Sequence, residues 1–212
     1  MSGWRKKRGI MKRYDATAEI YDKRYAEEQT AKIEAALKHL TIKQDDKIID
    51  SGCGTGILFD YLGKARLIVG TDISKKTLAK AVQHVQGDQL SKVHLIQADM
   101  DNMPFADHIF NKVFLMTVLQ NSPKHDRTLA ETKRIGTNKG AFVITGLKRI
   151  FNKRLFQELL RKGQFKILTL EEEDLKCYVA ICANSPVNSS TDVKTQYACK
   201  TESLRDTNRN KQ

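Results

Sequence analysis

The sequence has few of the residues that cross-link a chain or anchor it in a membrane. Its four cysteines (Cys53, Cys177, Cys182 and Cys199) form no C-x-x-C pair and lie near no histidine cluster, so we predict neither a metal site nor disulfides. No apolar run approaches the roughly 20 residues of a membrane span, and the charged N-terminus lacks the apolar stretch of a secretion signal. We therefore expect a cytoplasmic protein with reduced thiols and no membrane span.

Acidic residues are outnumbered: 25 stand against 37 basic residues, which gives a net charge of +12. Such a charge permits an anionic partner such as nucleic acid but does not require one. Residues 1–13 are predicted to be a flexible basic arm, because six basic residues precede the first acid, Asp15. A second basic group is spread over residues 148–166.

Apolar strand patterns alternate with helical patterns through residues 14–183. Strands are predicted near 47–50, 65–73, 92–100, 111–119 and 140–147, followed by a hairpin of 165–170 and 177–183. Because the first five are almost continuously apolar, we predict an α/β fold in which helices cover both faces of a parallel sheet. Residues 184–212 are polar and poor in aromatics, so we predict a disordered tail.

A glycine-rich turn follows the first predicted strand. The segment "IIDSGCGTG" (48–56) places Gly52, Gly54 and Gly56 where a strand hands over to a helix. Such a turn is by itself a weak signal, because dinucleotide-binding folds use nearly the same device and tight packing without a ligand is an alternative. Asp50, two residues before the first glycine, suits a ligand with an ammonium group better than a pyrophosphate.

Two further acids end the next two strands. Asp72 follows the first glycine by about twenty residues, the interval expected of a carboxylate that binds ribose hydroxyls. Ile73 beside it offers an apolar surface for a base, and Asp99, with Met100 next to it, can accept from an exocyclic amine. An ammonium, a ribose and an adenine without phosphate describe S-adenosylmethionine, which we predict as the cofactor.

The chain resembles the class I S-adenosylmethionine-dependent methyltransferases of the UbiE-like (type 11) family. The resemblance rests on "IIDSGCGTG", "GTDIS", "QADMDNMPFADHIFNKVFLMTVLQ" and "YDATAEIYDKRY", and it covers about residues 14–183. It implies a Rossmann-like three-layer sandwich whose seven-stranded, mostly parallel sheet has an antiparallel last strand. Residues 14–183 are accordingly predicted to be the methyltransferase domain.

The resemblance also assigns roles along the cofactor. It implies that Gly52, Gly54 and the region of Asp50 contact the methionine moiety, Asp72 the ribose and Asp99 the adenine amine, with Thr117 and Val118 beside the sulfonium. Tyr14 and Tyr21 become candidate lid contacts, although packing of an amphipathic helix explains them equally well. His125 is a candidate base, but a histidine that begins a helix is more often merely solvated, so no catalytic residue is predicted.

The methyl acceptor stays open between three classes. The basic arm and the basic helix favour RNA slightly, with tRNA as one candidate. A small quinone-like or aromatic acceptor is the alternative, for which Met100, Met103, Phe105 and Met116 would line an apolar pocket. A cofactor-binding subunit, or a protein methyltransferase that needs a protein partner, is the third. The histidine pair frequent after the fourth strand in UbiE-like proteins is Gln120-Asn121 here, which leaves the substrate class undecided.

Overall fold

The structure, a computed structural model, describes residues 3–17 and 21–185, and for residues 21–24 it describes the backbone alone. The α-helices of this part are α1 (Gly3–Thr17), α2 (Tyr21–Leu37), α3 (Lys75–His84), α4 (His125–Ile135) and α5 (Lys153–Lys162). The strands are β1 (Lys47–Ser51), β2 (Leu67–Asp72), β3 (Val93–Gln97), β4 (Phe110–Leu115), β5 (Gly136–Leu147), β6 (Phe165–Glu171) and β7 (Cys177–Asn184). Short 3₁₀ helices occupy Ile57–Tyr61, Gly87–Ser91 and Leu119–Asn121.

Within the described residues the strands form one seven-stranded sheet in the order β3-β2-β1-β4-β5-β7-β6. The pairs between β3 and β5 are parallel, whereas β7 runs antiparallel to both β5 and β6. In the β5–β7 ladder Leu147 faces Cys177 and Ala141 faces Ala183. The predicted fold class, with its antiparallel last strand, is confirmed.

Each face of the sheet has its own apolar core. Neighbouring residues of a strand point to opposite faces, and the adjacent Ile48 and Ile49 accordingly belong to different clusters. The cluster of Ile49 includes Phe156 of α5, whereas that of Ile48 includes Leu78 of α3 and Ala36 of α2. Helices therefore cover both faces of the sheet, as the apolar strand patterns predict.

The local signals for α3 are confirmed in detail. Ser74 is its N-cap, and its Oγ accepts a hydrogen bond of 3.1 Å from the amide of Thr77. The short helix predicted after the glycine turn is a 3₁₀ helix, Ile57–Tyr61. Helix α2 runs from Tyr21 to Leu37.

The predicted flexible arm needs correction. Residues 3–13 belong to helix α1, and the side chain of Lys7 is only 10% exposed. The physical reason is an ion pair with the end of β3, which lies far away in the sequence. At the other end of the chain, Asn184 closes β7, and the predicted disordered tail lies outside the described residues from 186 onward.

Over residues 3–17 and 21–185, no helix combines the length and the apolar character that a membrane crossing demands. The same residues contain no group of three or more His, Cys, Asp or Glu side chains placed to hold a metal ion.

Candidate cofactor-binding site

The turn after β1 is built from glycines in the left-handed region of backbone space. Gly52, Gly54 and Gly56 have φ angles of 81°, 58° and 91°, which glycine adopts without steric penalty. The amide of Gly52 donates to the carbonyl of Thr71 at 2.7 Å, which ties the turn to β2. A Cβ on Gly52 would lie 2.6 Å from Cγ1 of Val118. The turn therefore packs against the segment after β4, and a side chain at its first position has no room.

A cavity lies beyond the carboxyl ends of β1 to β4, under helix α1. It is lined by eight of the ten residues predicted to bind the cofactor: Tyr14, Gly52, Gly54, Asp72, Ile73, Asp99, Met100 and Thr117. Val118, Met116 and Asn121, which the sequence analysis also named, line it too. The remaining lining residues were not singled out from the sequence: Lys7, Ile10, Thr71, Thr77 and Ala98. We call the side with Gly52, Gly54 and Thr117 the glycine end, and the side with Asp99 and Met100 the Asp99 end.

One predicted residue, Asp50, lies outside this cavity. Asp50 lines a smaller neighbouring cavity together with Gln29 and Cys53, and the two cavities share Gly52, Gly54 and Met116. The smaller cavity thus continues the glycine end toward helix α2. The side chain of Tyr21 falls outside the described residues.

Asp72 closes β2 at the centre of the site. Its carboxylate accepts from the amide of Gly54 at 3.1 Å and from the amide of Ser74 at 2.8 Å. Burial raises the pKa of Asp72, and these backbone hydrogen bonds oppose the rise. Because the carboxylate spans the glycine turn and the start of α3, it orders the wall on which a ribose would rest.

Asp50 is a buried acid with little to stabilise its charge. It is 3% exposed. Burial, together with the nearby charge of Asp72, raises its pKa to about 8. Asp50 therefore holds a proton at neutral pH, and an ammonium group brought beside it would favour the ionised carboxylate.

At the Asp99 end, a lysine from α1 enters the site. The Nζ atom of Lys7 lies 2.7 and 2.6 Å from the two carboxylate oxygens of Asp99 and 2.5 Å from Asp101 Oδ2. Asp101 is itself buried and receives a hydrogen bond from the hydroxyl of Thr128. Both oxygens of Asp99 thus have a cationic partner, and any amine that approaches Asp99 must share it with Lys7 or displace it.

Helix α1 has a second attachment, to the segment after β4. Asn121 Nδ2 donates to the hydroxyl of Tyr14 at 2.9 Å, and Arg13 donates to Asn121 Oδ1 at 3.2 Å. A third contact joins α1 to the cap of α3, where Ser74 Oγ donates to Asp15 Oδ1 at 2.6 Å. Tyr14 is therefore placed as a lid residue would be, with its ring at the cavity and its hydroxyl anchored.

Thr117, directly after β4, has an unusual backbone. Its φ of 60° lies in the left-handed region, where a β-branched residue is a genuine outlier. Its amide donates to Thr145 Oγ1 at 2.6 Å, and its carbonyl accepts from Gln120 Nε2 at 2.6 Å. Strained residues of this kind cluster at ligand sites, because the surrounding structure must hold them in place.

Other candidates from the sequence lie outside the cavity. His125 begins α4 and packs edge-on against Phe151, and burial and the charge of Lys6 lower its pKa. Met103 is buried in the core, and Phe105 packs against Phe110. Of the four apolar residues expected around a small acceptor, only Met100 and Met116 line the cavity.

Lys7 was not predicted as a site residue, because the basic N-terminal segment was predicted to be a flexible, solvated arm. Within that segment, Lys7, Ile10 and Tyr14 recur at helical spacing and line the cavity together. This periodicity was the available signal for a helix facing the site.

Comparison with known proteins bears on this geometry. Residues 49–144 match the family model described as a methyltransferase domain, Methyltransf_11. Over 162 residues the chain is 30% identical to an uncharacterised protein of Methanocaldococcus jannaschii, covering 76% of this chain and 61% of that protein. It is 31% identical over 106 residues to the demethylmenaquinone methyltransferase of Geobacillus sp. (strain WCH70), covering 48% of this chain and 45% of that protein. The chain therefore spans about half the length of these relatives.

Solved structures share the fold. One is a chain of the complex between the Haloferax volcanii Trm112 methyltransferase activator and a proposed methyltransferase, with a TM-score of 0.71 at 16% identity over 81% of this chain and 97% of that chain. Another is a SAM-dependent methyltransferase from Aquifex aeolicus, with a TM-score of 0.62 at 16% identity over 71% of this chain and 88% of that chain.

The match of residues 49–144 to the methyltransferase domain model confirms the predicted resemblance for this part of the chain. The predicted enzyme class, and S-adenosylmethionine as its methyl donor, are confirmed at the level of this domain.

Proposed function

We propose that this chain binds S-adenosylmethionine beyond the carboxyl ends of β1 to β4 and transfers its methyl group to an acceptor on RNA. The observation that carries the proposal is the convergence of the glycine turn, Asp72 and Asp99 on one cavity within a domain of this family. Asp50 adjoins the glycine end from the neighbouring cavity.

The residues present fit the cofactor. Gly52 and Gly54 bring the backbone of the turn to the cavity wall without side chains, and Val118 leaves no room for a Cβ on Gly52. The methionine moiety would lie against this wall. Asp50 would accept the ammonium, Asp72 the ribose hydroxyls and Asp99 the adenine amine. Ile73 and Met100 would flank the base. A phosphate is a poor match, because carboxylates line the cavity where phosphate would need donors.

When bound, the cofactor supplies an electrophilic methyl group on a sulfonium that departs as a neutral thioether. The chain's contribution is then mainly to align the acceptor with that methyl group, where well-oriented reactants reach effective molarities of about 10⁵–10⁸ M. Thr117, Val118 and Asn121 stand where an acceptor would meet the methyl group. A base is needed only if the acceptor must lose its proton early.

An RNA acceptor is supported by the charge around the mouth of the cavity. Helix α1 covers the cavity with Lys7, Ile10 and Tyr14, and it exposes further basic side chains to solvent: Arg5, Lys6, Arg8, Lys12 and Arg13. Exposed cations beside a reaction site attract a polyanion and hold its backbone. The basic charge of α5 is partly neutralised within the chain, because Arg154 pairs with Glu158 at 2.9 Å.

Two measurements test the proposal. Calorimetry should show binding of S-adenosylhomocysteine and none of NAD; the reverse result would overturn the cofactor assignment. Incubation with tritiated S-adenosylmethionine and fractionated lysate should then label material that RNase removes and protease does not. Label that survives RNase would rule out RNA as the acceptor.

A matched pair of charge reversals tests the role of α1. The double variant Lys6→Glu/Arg8→Glu should lose salt-sensitive RNA retention and RNA labelling. The control Lys64→Glu/Arg66→Glu changes charge equally at exposed positions near the start of β2, at the opposite edge of the sheet, and should keep both. Equal behaviour of the two variants would speak against RNA contact through α1.

A small apolar acceptor is the second candidate, supported by the relative that is a demethylmenaquinone methyltransferase. Ile10, Met100, Met116 and Val118 give the cavity an apolar lining that would suit it. Labelling of a lipid extract by the purified chain, together with unlabelled RNA, would select this candidate over the first.

A protein partner is the third candidate. It is supported by the structural neighbour solved with the Trm112 activator and by the edge strand β3, beside which Val82 and Leu90 are 60% and 70% exposed. If a partner is needed, labelling by the purified chain should rise when an activator of the Trm112 type is added. The variant Val82→Asp/Leu90→Asp should abolish that rise.

A further inference from the structure

A lysine on α2 lies buried beneath the glycine end. Lys32 is 0% exposed, and its Nζ donates to Glu28 Oε1 at 3.0 Å and to Thr117 Oγ1 at 2.9 Å. Glu28 is also 3.3 Å from Lys176 Nζ. A buried lysine costs free energy unless its charge is paired and bonded, and Lys32 directs one of its hydrogen bonds at a residue of the cavity wall.

That residue, Thr117, is held at each of its polar atoms. Since its hydroxyl oxygen accepts from Lys32, its hydroxyl proton is directed to Gln29 Oε1, at 3.2 Å. Its amide and carbonyl are bonded to Thr145 and Gln120. Both partners of the Thr117 hydroxyl therefore come from helix α2, and the backbone of Thr117 lies in the left-handed region. Such a conformation persists only where the surroundings over-determine it.

The hydrogen bond between Thr117 and Gln29 joins the walls of the two cavities. Thr117 lines the main cavity at its glycine end, while Gln29 lines the neighbouring cavity that contains Asp50. Under the proposed function, the amino-acid moiety of the cofactor occupies this end. The Asp99 end is formed by other elements, namely the tip of β3 and helix α1.

We propose that Lys32 is a positioning residue for the amino-acid end of S-adenosylmethionine, acting by fixing the side chain and backbone of Thr117. This inference rests on the proposed cofactor site. Lys32 itself makes no contact with the cofactor. It holds Thr117 in place, and Thr117, as part of the cavity wall, orients the methionine moiety and the methyl group.

Two ligands separate a positioning role from a general structural one. S-adenosylhomocysteine has the amino-acid moiety, whereas 5′-methylthioadenosine has the same adenosine and sulfur without it. In Lys32→Met, measured by calorimetry, we expect the affinity for S-adenosylhomocysteine to fall by about tenfold or more, as for loss of a charge-assisted hydrogen bond. The affinity for 5′-methylthioadenosine should stay within about twofold of the wild-type value.

Variants at Thr117 test the same contact from its other side, so the conclusion does not depend on whether Lys32→Met folds. Thr117→Val, which removes the hydroxyl and keeps the shape, should reproduce the selective loss, and Thr117→Ser should largely retain binding. The double variant Lys32→Met/Thr117→Val should lose little more than either single variant, because both changes break the same contact.

Lys112 provides a matched control. It is a second buried lysine, 7% exposed and paired with Asp46, near the start of β4 and away from the cavity. Lys112→Met should lower the free energy of unfolding yet leave the affinities for both ligands unchanged. Loss of binding in this control as well would attribute the effect of Lys32→Met to general destabilisation and overturn the inference.

The outcomes discriminate between the inference and the function on which it rests. If the wild-type chain binds neither ligand, the proposed function fails and the inference falls with it. If the wild-type chain binds both, and Lys32→Met and Thr117→Val lose either no affinity or equal affinity for the two ligands, only the positioning role is refuted.

Discussion

The glycine end and the Asp99 end of the cavity are built in different ways. At the glycine end, Gly52 and Asp72 are held by backbone hydrogen bonds within the turn and the strands beside it. At the Asp99 end, the wall is a separate helix, attached through Lys7 to a carboxylate 92 residues away in the sequence. The glycine end is formed by the sheet, its turns and helix α2, which holds Thr117, whereas the Asp99 end is complete only when α1 has docked.

This difference indicates how a ligand reaches the site. Helix α1 exposes most of its side chains and buries one lysine, so it can open locally while the sheet stays folded. The ion pairs of Lys7 with Asp99 and Asp101 oppose opening, together with the attachments of α1 to Asn121 and Ser74. Access to the cavity should therefore depend on α1, and the shape of the glycine end should not.

The largest expected effect breaks the glycine end. In Gly52→Ala, the new Cβ meets Val118 at 2.6 Å and the residue must keep a φ of 81°. Backbone strain and overpacking together should lower the free energy of unfolding by about 2–5 kcal/mol, measured by urea denaturation. Gly63→Ala, whose Cβ meets nothing within 4 Å, should change it by about 0.5 kcal/mol or less. Equal losses of unfolding free energy in the two variants would contradict the tight packing of Gly52 against Val118.

The next effect is the dependence of the free energy of unfolding on the titration of Asp50, which adjoins the glycine end. Asp50 has a pKa of about 8 in the folded chain against 3.8 in the unfolded chain, so between these values the folded state binds more protons. The free energy of unfolding should therefore fall as pH rises through this window, by about 1.4 kcal/mol per pH unit. Asp50→Asn should lack this part of the slope. Parallel profiles of the two proteins in urea denaturation would show that Asp50 does not retain its proton.

The same acid makes ligand binding release protons. If the ammonium of S-adenosylhomocysteine lies beside Asp50, it stabilises the ionised carboxylate and the proton leaves to the buffer. Calorimetry at neutral pH in buffers of different ionisation enthalpy should detect this release in the wild-type chain and not in Asp50→Asn.

A third change breaks the Asp99 end. Lys7→Met removes the cation between Asp99 and Asp101, so α1 should undock more often. Its amide hydrogens should exchange at least about tenfold faster, since breaking a buried pair is costly, while exchange in β1 and β4 stays unchanged. Trp4, the only tryptophan of the chain, lies on α1 and reports its mobility by fluorescence anisotropy. Lys12→Met on the exposed face of the helix is the control, and equal exchange in both variants would refute the role of Lys7.

The smallest expected effect strengthens α1. Gly9 lies within the helix, and a Cβ there meets nothing within 4 Å. Gly9→Ala should stabilise α1 by about 0.5–1 kcal/mol and slow amide exchange in the helix accordingly. Unchanged exchange would mean that α1 leaves the cavity as an intact helix, without unfolding.

The sequence predicted the sheet and the three carboxylates because both depend on local patterns. Runs such as residues 67–69 of β2 are consecutively apolar, and acids at the carboxyl ends of parallel strands share one edge of the sheet. Asp72 and Asp99 line one cavity, as this rule predicts, whereas Asp50 lines the neighbouring one. Their charge states could not be predicted in this way, because the raised pKa of Asp50 depends on how deeply the finished fold buries it.

Contacts between segments that are distant in the sequence could not be predicted from the sequence alone. Lys7 and Lys32 look like ordinary solvated lysines in the sequence, yet their partners Asp99 and Thr117 lie 92 and 85 residues away. The predicted flexible arm was wrong for this reason: few apolar side chains mark α1, and tertiary contacts with the finished site help to hold it. The left-handed backbone conformation of Thr117 could not be predicted either, since threonine does not favour this conformation.

The antiparallel course of β7 has a practical consequence for how the protein is handled. Its last residues pair with the middle of β5, with Ala183 opposite Ala141, at the far end of the ladder from Leu147. Strand β7 therefore ends on the side of the sheet away from the cavity. Helix α1, by contrast, starts beside Pro123, in the segment that follows β4. A purification tag, fluorophore or surface tether should therefore be fused after β7, because the same addition before α1 would crowd the helix that covers the cavity.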